Sequence, residues 1–190
     1  MSQTQAAQTI EGIGLPRVGT WKLDPAHTSV EFVARHMVAK VRGRFTGFDG
    51  TIEIAERPED SRVEVEVDTA TIQTNQEQRD SHLRSGDFLE IEKYPKLTFR
   101  SKEVRLTGGN TFQIVGDLTI KDITREVTLD AEFLGFGPAL EDRTTMAFEA
   151  KTSINREDWD MTWNVVVEAG SFLVGKKVDL EIAVEAYLEK

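Results

Sequence analysis

The three histidines, His27, His36 and His82, are the side chains in this chain best suited to hold a metal ion or act as a base near neutral pH. His27 and His36 are an odd number of positions apart, so on one unbroken strand they would point to opposite faces. Neither has a second ligand at a recognised metal-site spacing. Because His27 closely follows Pro25, it is also a candidate turn residue. The sequence therefore predicts no metal site.

Nucleophilic catalysis also has little support in the sequence. The chain has no cysteine, which excludes a thiolate nucleophile, and it has no G-x-S-x-G motif of the kind that presents a catalytic serine. The glycine-rich stretches that begin at Gly12 and Gly135 lack the third glycine of a dinucleotide fingerprint. Pairs of carboxylates carry little information in a chain with 33 acidic residues. We therefore predict no catalytic residues, no cofactor and no enzymatic activity.

The net charge of the chain limits the classes of partner that it can bind. The formal net charge is −10, so the average field repels nucleic acid and anionic surfaces, although local basic spots remain possible. No apolar run is long enough to cross a bilayer, which predicts a protein that does not span the membrane. The first residues lack the pattern of a secretion signal. We expect a flexible polar tail over residues 1–17, a single domain over residues 18–190 and a cytoplasmic location.

The elements that would position functional side chains are strands, because apolar and polar residues alternate along most of the chain. Val63, Val65 and Val67, for example, alternate with Glu64 and Glu66. Clean alternation with short connections is typical of antiparallel strands around one interior, with one dry face per strand. The sequence predicts an all-β, mainly antiparallel fold: a barrel or strongly curved sheet of about eight strands.

Three local features predict how these strands are joined and bent. The stretch Thr107–Asn110 contains two glycines and favours a hairpin turn. Lys121–Thr124 is a second predicted short turn. The apolar positions change parity between Phe99 and Val104, which predicts a bulge near Ser101–Glu103.

One segment has the pattern of a helix. Thr74 and Glu77 have the spacing of a capping box, and Gly86 is placed where a helix would end. Leu83 is the only aliphatic residue between these ends, so the helix cannot enter a core. We predict one short helix near the mouth of the barrel, with Leu83 and Phe88 turned inward.

Several stretches resemble, in order, the motifs of the YceI-like family of polyisoprenoid-binding proteins: WKLDPAHTSVEFVARHM, VRGRFTGFDGTI, RDSHLRSGDFLEIEKYPKLTF, GDLTIKDITREVTLD, INREDWDMTW and VGKKVDLEIAVEA. The resemblance covers roughly Thr20 to Tyr187. It implies a lipocalin-like barrel whose lumen takes a long isoprenoid or similar amphiphilic lipid, in a protein that forms a homodimer. Trp159 and Asp160 depart from the usual family motif, which is expected to alter the pocket's length or gating.

A lumen of this kind needs apolar walls. The residues predicted to supply them are Phe32, Phe45, Leu97, Phe99, Phe112, Ile114 and Phe148, together with Leu83 and Phe88 from the helical segment. In a barrel without a ligand the same residues would simply fill the core; alternation leaves both interpretations open, and the resemblance favours the lumen. Each buried CH2 contributes about 0.8 kcal/mol, so about twenty prenyl carbons give a gross term of order ten kcal/mol.

A lipid's polar head would need a few polar groups. His36 ends an apolar row on its strand and is either a hydrogen-bonded core residue or a ligand contact. Arg84, Asn155, Arg156 and the indole of Trp163 are alternatives.

The function predicted from these features is non-catalytic binding, storage or transport of a polyisoprenoid or similar lipid. Two other functions remain open. One is an enzyme that acts on a lipid in the same pocket, with His36 as base. The other is a barrel with a filled core that acts as a protein-interaction module.

Overall fold

Strands make up most of the computed structural model, which describes residues 9–10, 13–137, 143–167 and 173–189. The strands are β1 Thr9–Ile10, β2 Ile13–Gly14, β3 Gly19–Leu23, β4 Ser29–His36, β5 Ala39–Phe45, β6 Phe48–Ile54, β7 Arg62–Asp68, β8 Ile72–Gln73, β9 Lys96–Gly108, β10 Thr111–Ile120, β11 Ile123–Phe136, β12 Thr145–Asn155 and β13 Val174–Leu188. Helix α1 spans Glu77–Arg84, and short 3-10 helices span Pro58–Asp60, Thr69–Thr71 and Arg156–Trp159.

Eight strands close into an antiparallel barrel. The order is β3, β6, β7, β9, β10, β11, β12 and β13, and the last part of β13 pairs back onto β3. The first part of β13 pairs instead with β4, which pairs with β5, which in turn pairs with β8. Strands β3 and β4 are therefore two halves of one interrupted strand, as are β5 and β6. The predicted all-β antiparallel barrel of about eight strands is confirmed.

Alternation along the strands sets which side chains face the interior. On β7, Val67 is buried and Val63 and Val65 are half-buried, whereas Glu64 and Glu66 are exposed. This is the arrangement that the period-two pattern predicts, because successive side chains point to opposite faces of a strand.

The predicted turns and the bulge are also present. Gly109 has a φ of +59° in the β9–β10 hairpin, and Lys121 and Asp122 have φ values of 52° and 59° in the β10–β11 turn. Paired positive φ values suit tight hairpins, since they match the twist of the strands. The pairing of β9 with β10 skips Lys102, inside the predicted bulge region.

Helix α1 exists, but its predicted caps are wrong. Its N-cap is Gln76, whose side chain accepts from the Arg79 N–H. Thr74 is instead buried, and both its N–H and its hydroxyl donate to the buried Asp80 carboxylate in the first turn of the helix. The helix ends before Gly86, with extended backbone at the C-cap. The bond to Asp80, six residues further on, takes the hydroxyl that a capping box would need.

The folded part begins earlier than the predicted boundary between residues 17 and 18. Leu15 is only 2% exposed and Pro16 is buried. The Trp21 indole N–H donates to the Arg17 carbonyl at 2.9 Å. The predicted boundary is wrong because Leu15 packs beside Trp21 in the core, which a polar-looking flank does not reveal.

Two buried clusters close the two ends of the barrel. The cluster that we call the Trp21 end includes Leu15, Trp21, Leu23, Phe133 and Met146. The cluster that we call the helix end includes Phe88, Leu118, Ile120, Ile154 and Trp159, and the half-buried Leu83 of α1 packs against it. The inward direction predicted for Leu83 and Phe88 is confirmed.

Candidate ligand-binding site

A dry cavity lies inside the barrel between the two end clusters. Its volume is about 190 Å³. Inward side chains from opposite sides of the barrel form its wall, among them Val30 of β4, Val65 of β7 and Leu129 of β11. Within the described part of the chain, its only polar wall residues are Thr28 and Ser61, and none of its wall residues titrates. The cavity can therefore hold an apolar group and offers almost nothing to a charged one.

Five of the residues predicted to bind a ligand form part of the cavity wall. They are Leu97, Phe99, Phe112, Ile114 and Phe148. Each lies at an inward position of β9, β10 or β12, so alternation places them correctly.

Phe99 reaches the cavity because Gly116 leaves room for its ring on the neighbouring strand. A Cβ atom at position 116 would lie 2.6 Å from the Phe99 Cζ and 2.6 Å from the Arg100 carbonyl oxygen. Real Cβ atoms do not approach other atoms so closely. A residue without a side chain is thus needed where the aromatic ring crosses the strand pair.

Five other predicted residues are not on the cavity wall. Phe32, Phe45, Leu83, Phe88 and Trp163 pack against or within the helix-end cluster. The rings of Phe32 and Phe45 are 6.0 Å apart, and those of Phe88 and Trp163 are 5.6 Å apart. They close the lumen at this end, because alternation predicts which face a residue occupies but not its height along the barrel.

The prediction that His36 points into the lumen is wrong. His36 is exposed at the last position of β4, where it pairs with Ala39 and Val174. The alternate residues of β4 that lead up to His36 face the interior only where β4 forms part of the barrel wall. At His36 the hairpin has already passed beyond the rim.

The polar residues proposed for a head group also lie elsewhere. The Arg84 guanidinium donates to the carbonyls of Ala70 at 3.0 Å and Ile72 at 2.9 Å, which fastens α1 to the segment before it. Asn155 is exposed, and its Oδ1 accepts from the Glu157 N–H at 3.1 Å. Both side chains support local backbone and do not reach the cavity.

Two buried cations lie at the helix end: Arg156, which was predicted to meet a head group but is not on the cavity wall, and Lys121, which the sequence did not single out. Arg156 is 3% exposed and donates to carbonyl oxygens that include those of Gly175, at 2.9 Å, and Met161. Its burial lowers the pKa of the guanidinium. Lys121 is 8% exposed, and its Nζ donates to the Asp160 carbonyl at 3.3 Å. Among the described residues neither forms an ion pair. Hydrogen bonds to backbone carbonyls therefore offset the cost of burying both charges.

The two polar side chains on the cavity wall form hydrogen bonds with backbone groups where the pairing between strands is interrupted. Thr28 Oγ1 donates to the Glu185 carbonyl at 3.0 Å and accepts from the Glu185 N–H at 3.1 Å. Ser61 Oγ accepts from the Ala55 N–H at 3.1 Å. Thr28 replaces a ladder partner at the break between β3 and β4, a long-range role that the local sequence does not signal.

His27 lies in the turn at that break, outside the cavity and 63% exposed. Its Nδ1 is 2.9 Å from Asp24 Oδ2 and 3.9 Å from Glu185 Oε1. The hydrogen bond to Asp24, and then the charge of Glu185, raise the pKa of His27, while His27 lowers the pKa of Asp24. These three groups lie close enough together to resemble a metal-ligand set, and the contacts between them are those of a surface ion pair.

Helix α1 is too short to cross a bilayer, and none of the described helices meets the length and hydropathy that a spanning helix needs.

A closed eight-stranded antiparallel barrel with a dry interior defines the lipocalin-like class. The sequence profile of the YceI-like domain matches residues 21–186, so the chain belongs to the YceI-like family. A UPF0312 protein of Staphylococcus aureus is 37% identical over 165 residues, which cover 85% of this chain and 94% of the relative.

Two solved structures share the fold. BcnA of Burkholderia cenocepacia superposes with a TM-score of 0.74 at 20% identity, covering 86% of this chain and 98% of BcnA. A polyisoprenoid binding domain from Saccharophagus degradans gives a TM-score of 0.65 at 13% identity, covering 91% of this chain and all of that domain. At these identities the likeness establishes the fold alone.

Proposed function

We propose that this protein binds a polyisoprenoid or similar long-chain amphiphilic lipid in the lumen of its barrel. In this proposal it carries, stores or sequesters the lipid without chemical conversion. The observation that carries the proposal is the dry cavity between the two end clusters, whose wall among the described residues is apolar except for Thr28 and Ser61. The likeness to a polyisoprenoid binding domain supports the same class of ligand.

The size of the cavity sets a condition on this function. A dry cavity of about 150 Å³ holds one benzene-sized molecule, and pockets for larger ligands span about 300–1,000 Å³. The 190 Å³ present here therefore fits a short piece of a prenyl chain. A longer chain requires one end cluster to move aside.

We propose that the helix end is the part that moves. Helix α1 contributes one aliphatic side chain, Leu83, to the packing there. Its other anchors are two polar contacts and one aromatic side chain. Asp80 binds Thr74, Arg84 binds backbone carbonyls, and the His82 ring packs edge-on against Trp163 at 4.5 Å. At the Trp21 end, fully buried Trp21 and Met146 belong to barrel strands, whereas the fully buried Trp159 of the helix end belongs to a short 3-10 helix outside the strands. Opening the helix end costs less free energy, because a short helix and a 3-10 helix give up fewer apolar contacts than paired barrel strands do.

Burial of the chain supplies the driving force. At about 0.8 kcal/mol per CH2, about twenty carbons contribute a gross term of order ten kcal/mol, from which the costs of association and of opening the barrel are subtracted. Binding of this kind needs no strong polar contact, in keeping with a wall whose two hydroxyls already bond to backbone groups.

The two other functions have less support. An enzyme with His36 as base has its proposed base on the outside, exposed and beyond the rim. No wall residue within the described chain could transfer a proton near neutral pH. A barrel with a filled core would leave no cavity between its end clusters. We therefore propose binding without catalysis, with no cofactor beyond the lipid.

The experiment is mass spectrometry of organic extracts of the purified protein, compared with a mock purification from cells that lack it. We expect a polyprenyl lipid enriched in the protein sample, and a higher melting temperature when that lipid is added. Absence of any enriched lipid, together with an unchanged melting temperature across a series of polyprenyl compounds, would overturn the proposal.

We also propose a homodimer, which the family resemblance implies, and a cytoplasmic location. Sedimentation velocity on the lipid-free and lipid-loaded protein tests the first, with a monomer in both states as the contrary result. Fractionation of the native cells tests the second.

A further inference from the structure

The turn of the β4–β5 hairpin has an unusual composition. It consists of Met37 and Val38, which are 56% and 91% exposed. Two-residue hairpin turns favour Asn–Gly or Asp–Gly, because one or both positions need a positive φ. Met37 adopts a φ of 55° without being glycine, at a cost in conformational energy. Neither turn chemistry nor burial explains two apolar residues here, and exposed apolar groups of this kind mark contact surfaces.

A second apolar segment lies beside this turn. The Met37 N–H donates to the Leu173 carbonyl at 2.8 Å, and the Leu173 N–H donates to the Val165 carbonyl at 3.0 Å. Val165 and Val166 are 44% and 67% exposed. We call Met37, Val38, Val165 and Val166 the apolar tip. It projects from the helix end of the barrel, since β4 ends and β13 begins there.

The hairpin behind the apolar tip has a local positive charge. Arg35 and Lys40 are exposed and directly opposite each other across the strand pair. Like charges in this position destabilise a hairpin. Within the described ranges neither lies within ion-pair distance of a carboxylate, although, beside the hydrogen bond from Lys177, the charge of Lys40 helps to lower the pKa of Asp179. His36, between them in sequence, is exposed as well. An anionic surface against the hairpin would remove this repulsion.

The other charges nearby are largely paired. Lys176 bonds to Glu157 at 2.8 Å, and Lys177 bonds to Asp179 at 2.8 Å. The hairpin pair is thus the local excess on a chain whose net charge is −10. Repulsion between an anionic surface and the rest of the molecule would orient this end toward it.

We propose that the apolar tip docks on an anionic lipid bilayer, with Arg35 and Lys40 at the level of the head groups. Docking places the helix end, which we propose opens, against the reservoir of lipid ligand. The inference rests on the proposed function and adds the source from which the ligand is taken. A second copy of the chain fits the surface less well, because pairing two tips brings the same cations together.

The test is co-sedimentation with vesicles of phosphatidylethanolamine and phosphatidylglycerol, and with vesicles of phosphatidylcholine alone. We expect the protein to bind the anionic vesicles preferentially, and less as salt is added. Val38→Asp should lower the partition coefficient about tenfold, because it places a charge in the inserted turn. Arg35→Glu combined with Lys40→Glu should reduce binding to the anionic vesicles by a similar factor.

Matched controls separate the apolar tip from general surface effects. Leu134→Asp changes an aliphatic residue that is 52% exposed near the opposite end. Arg62→Glu combined with Lys151→Glu alters net charge as much as the hairpin pair does, at exposed sites away from the apolar tip. Both controls should bind vesicles like the unmodified protein.

Loading assays distinguish failure of docking from failure of the proposed function. With prenyl lipid delivered from detergent, Val38→Asp should load normally, whereas its loading from vesicles should fall in parallel with docking. Failure of every form to load from detergent rejects the proposed function, and co-sedimentation still decides the docking.

Docking is overturned if the unmodified protein does not bind the anionic vesicles or if the variants of the apolar tip bind them unchanged. It is also overturned if those variants convert a dimer into a monomer without any vesicle binding, since the surface is then a self-association site.

Discussion

At the scale of single residues, Gly116 controls the position of the Phe99 ring in the cavity wall. Gly116→Ala should destabilise the protein by about 1–3 kcal/mol, because the new Cβ would lie 2.6 Å from Phe99 Cζ and from a backbone carbonyl. Denaturant unfolding measures this change. Gly86→Ala is the matched control, since its Cβ would enter open space, and an equal loss in both variants would contradict the argument.

Val65 tests the lumen at the same scale. Val65→Phe places a larger apolar group into the 190 Å³ cavity, so we expect near-native stability and a clear loss of lipid capacity. The neighbouring Glu66→Phe points outward on the same strand and should leave capacity unchanged. Quantitative extraction of bound lipid from both variants provides the measurement. Unchanged capacity in Val65→Phe would mean that the ligand lies elsewhere.

The ion pair of His27 makes the free energy of unfolding depend on pH, with a known sign. Because Asp24 raises the pKa of His27 in the folded state, the ion pair stabilises fully below the ordinary histidine pKa. This contribution is lost as the pH rises through the raised folded-state pKa. We expect the His27 ring signals in NMR to titrate above the ordinary range, and to move back toward it in Asp24→Asn, where only Glu185 still raises the pKa. A ring that titrates at the ordinary value in both forms would contradict the ion pair.

At the scale of elements, Asp80 decides how firmly α1 is held over the helix end. Asp80→Asn weakens the bonds from the Thr74 N–H and hydroxyl to a buried acceptor. We expect faster amide exchange over residues 74–95, with little change in the barrel strands, and hydrogen-exchange mass spectrometry measures both regions. Gln78→Ala, at an exposed position of the same helix, is the control. Uniform acceleration across the barrel would show that α1 is not a separate unit.

Elements were predictable from sequence where the chemistry is local. The turn at Lys121 and Asp122 and the bulge at Lys102 follow from residue preferences and parity within a few positions. The cap of α1 was missed although the bond involved is short-range, because Thr74 bonds to Asp80 six positions further on, a spacing that differs from the three of a capping box.

At the scale of the whole molecule, the alternation of apolar residues does not predict how high a side chain lies along the barrel axis. Phe32 and Phe99 both belong to inward rows, yet Phe32 closes the helix end and Phe99 lines the cavity. His36 continues such a row beyond the rim. Height depends on the stagger between strands that are distant in sequence, such as β4 and β13, and no short motif encodes it.

The closed barrel also explains why the sequence did not reveal the polar residues of the cavity wall. Thr28 faces the cavity because it bonds to Glu185 across the break between β3 and β4, 157 positions away. The alternation of Val63, Val65 and Val67 correctly predicts a dry wall. The few polar interruptions of that wall arise where backbone pairing fails, which only the folded chain shows.

The most direct test of the central claim is photocrosslinking with an isoprenoid that carries a benzophenone, followed by mass spectrometry of the labelled peptides. If the lumen holds the lipid, the adducts will fall on inward residues such as Val65 and Leu129. An excess of unlabelled prenyl lipid should suppress them. Adducts confined to outward-facing residues, or labelling that the competitor does not reduce, would contradict a lipid-binding lumen.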